Sequence, residues 1–261
     1  MKKNWSIDNS LVATQIVTLN GWEYIDDFIR EEMLDYSYFV WRGQSDLNWL
    51  LRPSLDRVLE KTGKLFDNKI RKLHLEKFKY ATRGRRGTNP PLISNENDWW
   101  ALGQHNGLVT PLLDWTTSPF VAAYFAFIEE FKDDVEYCAV FGIQKSAIIS
   151  KSKQINKLFK GEGRPPIIEF IEPLSDENPR LVNQGGLFTR SPDGQDIESW
   201  ISTYYKKPYN YIRIVKILIP TSDRLVCLRS LNRMNINNLS LFPDLFGASQ
   251  YSNNNLIIEN Y

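Results

Sequence analysis

The residues whose types and spacing could do chemistry fall in three short stretches. One is Arg42-Gly43-Gln44, directly after the strand-forming run Tyr38-Phe39-Val40-Trp41. A second runs from Gln104 to Phe127 and carries His105, Asp114, Trp115, Thr116, Thr117 and Ser118. The third is Arg180 to Thr189, where Gln184 precedes two adjacent glycines. An arginine at the end of a buried strand, with glycine beside it, presents a planar guanidinium where the backbone leaves room. That geometry suits bidentate binding of phosphate or carboxylate. The same arginine could instead close an ion pair with Asp114 inside the fold. A strand that delivers Asp114, Thr116, Thr117 and Ser118 to the mouth of an apolar helix puts polar groups where a core tolerates them only with partners. We read this stretch as the floor of a site.

The elements that must position these residues follow from periodicity and caps. Ser118 is a good N-cap and Pro119 suits the first helical position, so a helix starts there. Every residue from Phe120 to Ile128 is apolar or aromatic, which predicts a helix buried on most sides. Asn97 or Asp98 caps a short helix through Trp99 to Leu102 that stops near Gly107, setting Gln104 and His105 at a helix end beside the central stretch. A lone histidine in such a place is more often structural than catalytic.

Upstream, Trp22, Ile25, Phe28, Ile29 and Met33 recur at helical spacing. Pro53 and Ser54 are expected to open a helix running into 64–83, where Phe66, Ile70 and Leu73 share a face. Strands are expected over 137–143, within 166–173, from Leu187 to Thr189 and over 211–220. A helix follows over 223–238, then an aromatic-rich cap over 239–249. The asparagine-rich end, 250–261, is expected to be disordered. These elements interleave irregularly, which predicts one α+β domain over 1–261. Its core, about 20–247, is a single mixed or antiparallel sheet with a helical N-terminal portion and a helical insertion at about 53–90.

Composition narrows the function classes. A net charge of +1 removes any global electrostatic argument for a partner. The exception is local: Lys61 to Gly87 carries ten Lys or Arg against two acids, an excess of +8, so the remainder of the chain carries −7. The segment Lys61–Arg86 is either a polyanion-binding surface for nucleic acid or a solvated helix face. Five of the eight tryptophans lie between 41 and 115, either packed in a core or offered to a base or sugar. Cys138 and Cys227 make no disulfide framework, and with only His74 and His105 they lack metal-ligand spacing, so no metal is expected. No signal-peptide or membrane-spanning stretch is present in the sequence, and the expectation is a cytoplasmic protein with no membrane partner.

Taken together, these motifs resemble the FRG domain family. Tyr38-Phe39-Val40-Trp41-Arg42-Gly43-Gln44 is similar to its aromatic-Arg-Gly signature, with Trp41 where Phe or Tyr is usual. Gln104-His105-Asn106-Gly107 to Thr110, Leu112 to Thr116 and Ala122 to Ala126 resemble its central block, with Pro111 where a polar residue is common. Arg180, Gln184, Gly186 and Phe188 resemble a third block, and Leu241-Phe242-Pro243-Asp244-Leu245 a family-like tail. The resemblance implies a bacterial toxin or phage-defence setting.

A looser, fold-level similarity is to ADP-ribosyltransferases of the Arg-Ser-Glu type. It implies NAD as cofactor or substrate, held by Arg42, Gly43 and Gln44, with Thr117 and Ser118 alongside and Trp115 stacking on a ring. Arg42, His105, Asp114, Thr116, Gln184 and Glu198 are then the catalytic set. Gln184 stands where a glutamate is wanted, and Glu198 is the stand-in. The alternative is a non-catalytic module that binds a nucleotide or a nucleic acid.

Overall fold

A computed structural model describes residues 3–36, 38–132, 134–173, 179–206 and 211–261. Eight strands form one mixed sheet: β1 Trp5–Asp8, β2 Thr14–Leu19, β3 Phe39–Gln44, β4 Leu113–Thr116, β5 Tyr137–Gln144, β6 Glu169–Ile171, β7 Gly186–Arg190 and β8 Ile214–Pro220. Their spatial order is β1-β2-β8-β5-β3-β4-β7-β6. Neighbours are antiparallel except β2 and β8, which run parallel.

Eleven α-helices accompany the sheet among the described residues. They are α1 Ile25–Phe28, α2 Ser54–Lys61, α3 Asn68–Ala81, α4 Glu96–His105, α5 Pro119–Phe127 and α6 Lys145–Leu158. The rest are α7 Pro179–Asn183, α8 Ile197–Tyr204, α9 Arg224–Arg233, α10 Asn238–Leu241 and α11 Leu245–Ile257. No helix of the described residues is long and apolar enough to cross a membrane.

The sheet separates two cores. On one face α1, α5 and α9 pack Phe28, Ala122, Tyr124, Phe127 and Leu228 against Trp41, Val140 and Ile217. On the other, α6 and α8 pack Ile148, Ile197 and Trp200 against Phe141, Leu113 and Trp115. A third cluster joins α2, α3 and α4 through Leu55, Leu75 and Trp100 to Leu112 and Phe188. The helix over 119–127 starts as its caps predict: the Ser118 hydroxyl accepts from the Val121 N–H at 3.3 Å. Six of its nine residues are buried. It crosses β3 at Gly43, where an added Cβ would lie 1.9 Å from the Ala122 carbonyl oxygen and 2.6 Å from the Ala126 nitrogen. Only glycine allows that approach.

Several expectations are corrected. The N-terminal portion is not helical throughout, because β1 and β2 precede the helical stretch from Trp22 to Met33. In β1 only Trp5 is buried, so no alternation marks it as a strand. Arg42, Gly43 and Gln44 lie within β3 rather than after it. The single helix expected from Ser54 onward is two, separated at Gly63, whose φ of +69° breaks the run. Phe66 and Leu73 are exposed while Arg71 points inward, paired at 2.6 Å with Asp56, so α3 buries a different face from the one its apolar residues suggested. The cap of α4 is Asn95, whose side chain accepts from the Asp98 N–H at 2.8 Å. The asparagine-rich end is helical: Asp244 caps α11 by accepting from the Gly247 N–H at 2.9 Å, and Ile258 and Tyr261 are buried beyond it.

Candidate functional site

The β3–β4 ladder consists of one bridge, Trp41 with Thr116. One step further in register Gly43 would face Asp114. Instead the Arg42 Nη1 donates to the Asp114 backbone carbonyl at 2.9 Å, occupying the acceptor that the ladder would have used. The sheet therefore opens between β3 and β4. The Lys145 N–H donates to the Tyr38 carbonyl on the β5 side. Strand alternation then turns the backbone of Gly43 toward the opening.

A cleft of about 360 Å³ occupies this split, a size in the range of small-molecule sites. Its walls come from the edge of β3, from Trp49 in the following loop, and from Arg57 of α2. Gln104 and His105 close the end of α4, and Phe125 and Glu129 line it from α5 and just beyond. Arg180, Leu181, Gln184 and Phe242 complete the rim. Three tryptophans line the cleft, and Trp49, at 47% exposed, presents its ring to solvent.

Arg42 is the central cation. Its side chain is 19% exposed. Loss of water lowers its pKa below the usual arginine value; Asp114 opposes this and Arg57 adds to it. An arginine remains charged under such a shift. The Asp114 carboxylate is 3.7 Å from Nη1, a loose pair with an acid that is 61% exposed. The Arg42 Nε has no hydrogen-bond partner.

Asp114 is oriented from the other side. The Gln104 Nε2 donates to its Oδ2 at 2.8 Å, and the Thr110 hydroxyl donates to the Gln104 Oε1. The Leu112 N–H donates in turn to that hydroxyl at 3.2 Å. Gln104 is thereby locked with its amide toward Asp114 and its oxygen toward the core. Gln44 is buried, with Nε2 3.5 Å from the Leu50 carbonyl and Oε1 without a partner.

Eight of the residues singled out from the sequence line this cleft: Arg42, Gly43, Gln44, His105, Asp114, Trp115, Thr116 and Gln184. Thr117, Ser118 and Glu198 are not among its lining residues. Ser118 caps α5, and the Thr117 N–H donates to the Gly185 carbonyl at 3.0 Å across to the turn before β7.

Thr116, Gln184 and Trp115 line the cleft and also have structural partners. The Thr116 hydroxyl donates to the Gln184 carbonyl at 2.6 Å and accepts from the Ser118 N–H at 3.1 Å. The Gln184 Nε2 donates to the Leu241 carbonyl at 3.2 Å, tethering α10. The Trp115 ring is buried and its N–H donates to the Thr189 hydroxyl at 2.8 Å, so the indole left open to solvent in the cleft is that of Trp49 rather than Trp115.

Glu198 lies on α8, over the second core. Burial raises its pKa above the usual carboxylate range, with Lys216 opposing and Asp196 adding to the rise.

Trp49, Arg57 and Arg180 belong to the cleft but were not in the catalytic or cofactor-binding sets read from the sequence. Trp49 gave a signal as one of the clustered tryptophans, and Arg180 as part of a motif block. Arg57 gave none, because an arginine on a short amphipathic helix reads as surface. In the basic segment, Lys61, Lys64, Lys69, Lys72 and Lys77 are exposed. Among the described residues no group of three or more His, Cys, Asp or Glu could hold a metal.

Residues 37–135, from the start of the aromatic-Arg-Gly signature to just past α5, match the family model of the FRG domain. The chain carries an FRG domain. Its Arg-Gly pair has a physical meaning here: Gly43 lets α5 lie on β3, and Arg42 ends the β3–β4 ladder. The stretches from Arg180 to Phe188 and from Leu241 to Leu245 complete the cleft from outside the matched residues. No curated protein and no solved structure matches the chain.

Proposed function

We propose that the FRG domain binds a nucleotide in the β3–β4 cleft, with phosphate on Arg42 and a base or nicotinamide ring against Trp49. One observation carries this reading: a largely buried guanidinium lines an open cleft and is neutralised only loosely, by a carboxylate at 3.7 Å. A buried cation gains most from an anion that fits its fork. Trp49 supports it by offering an amphipathic ring at the same opening.

NAD is the nucleotide this reading favours. Asp114, fixed by Gln104, supplies a carboxylate near the cleft that would steady positive charge at a glycosidic carbon as nicotinamide leaves. Glu198 is set aside for that role because it does not line the cleft. Consumption of NAD would disable a host cell, the chemistry a toxin or phage-defence setting calls for. The test is nicotinamide release and NAD binding by wild type beside Asp114→Asn and Arg42→Gln. Binding lost with Arg42→Gln and turnover lost with Asp114→Asn are expected. NAD that is neither bound nor consumed would overturn the reading.

The exposed lysines of Lys61–Arg86 favour a second reading, nucleic-acid contact along α3. It predicts affinity for DNA or RNA that falls steeply between about 50 and 200 mM salt. A flat salt response would dismiss it.

A further inference from the structure

Arg57 has no role yet in the nucleotide reading, and it lines the same cleft as Arg42. Its Nη1 donates to the Arg52 carbonyl at 2.9 Å, and it has no ion-pair partner among the described residues. The two arginines lie close enough that the charge of Arg57 bears on Arg42. Like charges gathered at one opening repel, and the repulsion is relieved by whatever anion bridges them.

The other charges of the cleft do not bridge them. Arg180 is occupied by Asp244 at 2.6 Å and lies over the rings of Phe242 and Phe246. Asp114 is held by Gln104 on the β4 side, and Glu129 stands just past the end of α5.

A monophosphate satisfies one guanidinium fork. Two forks lining one cleft, beside the backbone of Gly43, offer donors for two linked phosphates. We propose that Arg42 and Arg57 together bind a diphosphate, so that the ligand class is a diphosphate nucleotide: a nucleoside diphosphate or a dinucleotide joined through its phosphates. This rests on the nucleotide reading and sharpens it. Arg42 holds the inner phosphate at the end of the ladder, and Arg57 holds the outer one at the rim.

The test is calorimetric titration of the full chain with AMP, ADP, ADP-ribose and inorganic pyrophosphate, repeated on Arg57→Gln. An exposed side chain with one hydrogen bond to the backbone leaves that variant folded, which its unfolding midpoint verifies. In wild type, ADP and ADP-ribose bind tighter than AMP by roughly tenfold or more, the effect of one added charge-assisted contact. In Arg57→Gln that preference disappears while AMP affinity stays within about twofold. Equal affinity of wild type for AMP and ADP overturns the diphosphate assignment and leaves the nucleotide reading standing. So does an Arg57→Gln variant that keeps the wild-type preference. Absence of binding by all four probes overturns both.

Discussion

Replacing Gly43 by alanine adds one methyl group where the chain has no room for it. The new Cβ would lie 1.9 Å from the Ala122 carbonyl oxygen, 2.6 Å from the Ala126 nitrogen and 2.9 Å from the Ala122 carbonyl carbon. All three are backbone atoms of α5, so no rotamer change relieves the overlap. Either α5 shifts away from β3 or β3 bends. Both disturb a core in which Ala122, Ala123, Tyr124, Ala126 and Phe127 are fully buried. Overpacking of a dense core costs about 1–3 kcal/mol, and a contact to rigid helix backbone belongs at the upper end, about 3 kcal/mol. Gly21→Ala is the control, because the three atoms nearest its Cβ all belong to the end of the flexible Glu23 side chain. It should cost under about 1 kcal/mol. Urea unfolding of both variants, followed by tryptophan fluorescence, gives the comparison. A Gly43→Ala midpoint indistinguishable from wild type would show that α5 does not lie on β3 at this glycine, and the account of the Arg-Gly pair would fall with it.

Other substitutions probe other links. Arg71 and Asp56 form a buried pair, with side chains 7% and 2% exposed, so Arg71→Met alone should destabilise by about 3–5 kcal/mol. The double variant with Asp56→Leu should recover part of that loss, as chemical denaturation would report. Thr116→Val removes the hydroxyl that joins the Gln184 carbonyl to the Ser118 N–H and should cost about 1–3 kcal/mol in the same assay. Glu198 gives a pH test. Burial raises its pKa in the folded chain, so the folded state holds its proton more tightly, and stability is lost as pH rises from the unfolded value through the folded one. Glu198→Gln should therefore raise the melting temperature at pH 7 and make little difference near pH 4. A variant that melts lower than wild type at pH 7 would mean that the Lys216 attraction outweighs burial.

Much of the fold was legible where one physical signal dominated. The cap at Ser118 and the unbroken apolar run after it fixed α5, and the strands β5 and β8 followed from dense apolar stretches. What was hidden depended on tertiary partners. Arg71 could be buried only because Asp56 waits opposite it, and no local pattern in α3 says so. The helix over the asparagine-rich end is fixed by Asp244 at one end and by burial of Ile258 and Tyr261 at the other.

The cleft divides the same way. Arg42, Asp114 and His105 stood out as polar residues at element ends. Ser118 stood out for the same reason but caps α5, and Trp115, singled out as a stacking ring, is buried with its N–H on Thr189. Arg57 joins the cleft from α2, outside the motifs, and only the folded chain shows it there.

The central claim is that the split between β3 and β4 is a nucleotide site organised by Arg42. A thermal-shift titration with NAD, ADP-ribose and ATP, wild type beside Arg42→Ala, tests it most directly. The account predicts a rise in melting temperature for wild type with NAD or ADP-ribose that is absent in a folded Arg42→Ala protein. No shift with any of the three nucleotides, or an equal shift in both proteins, would contradict it.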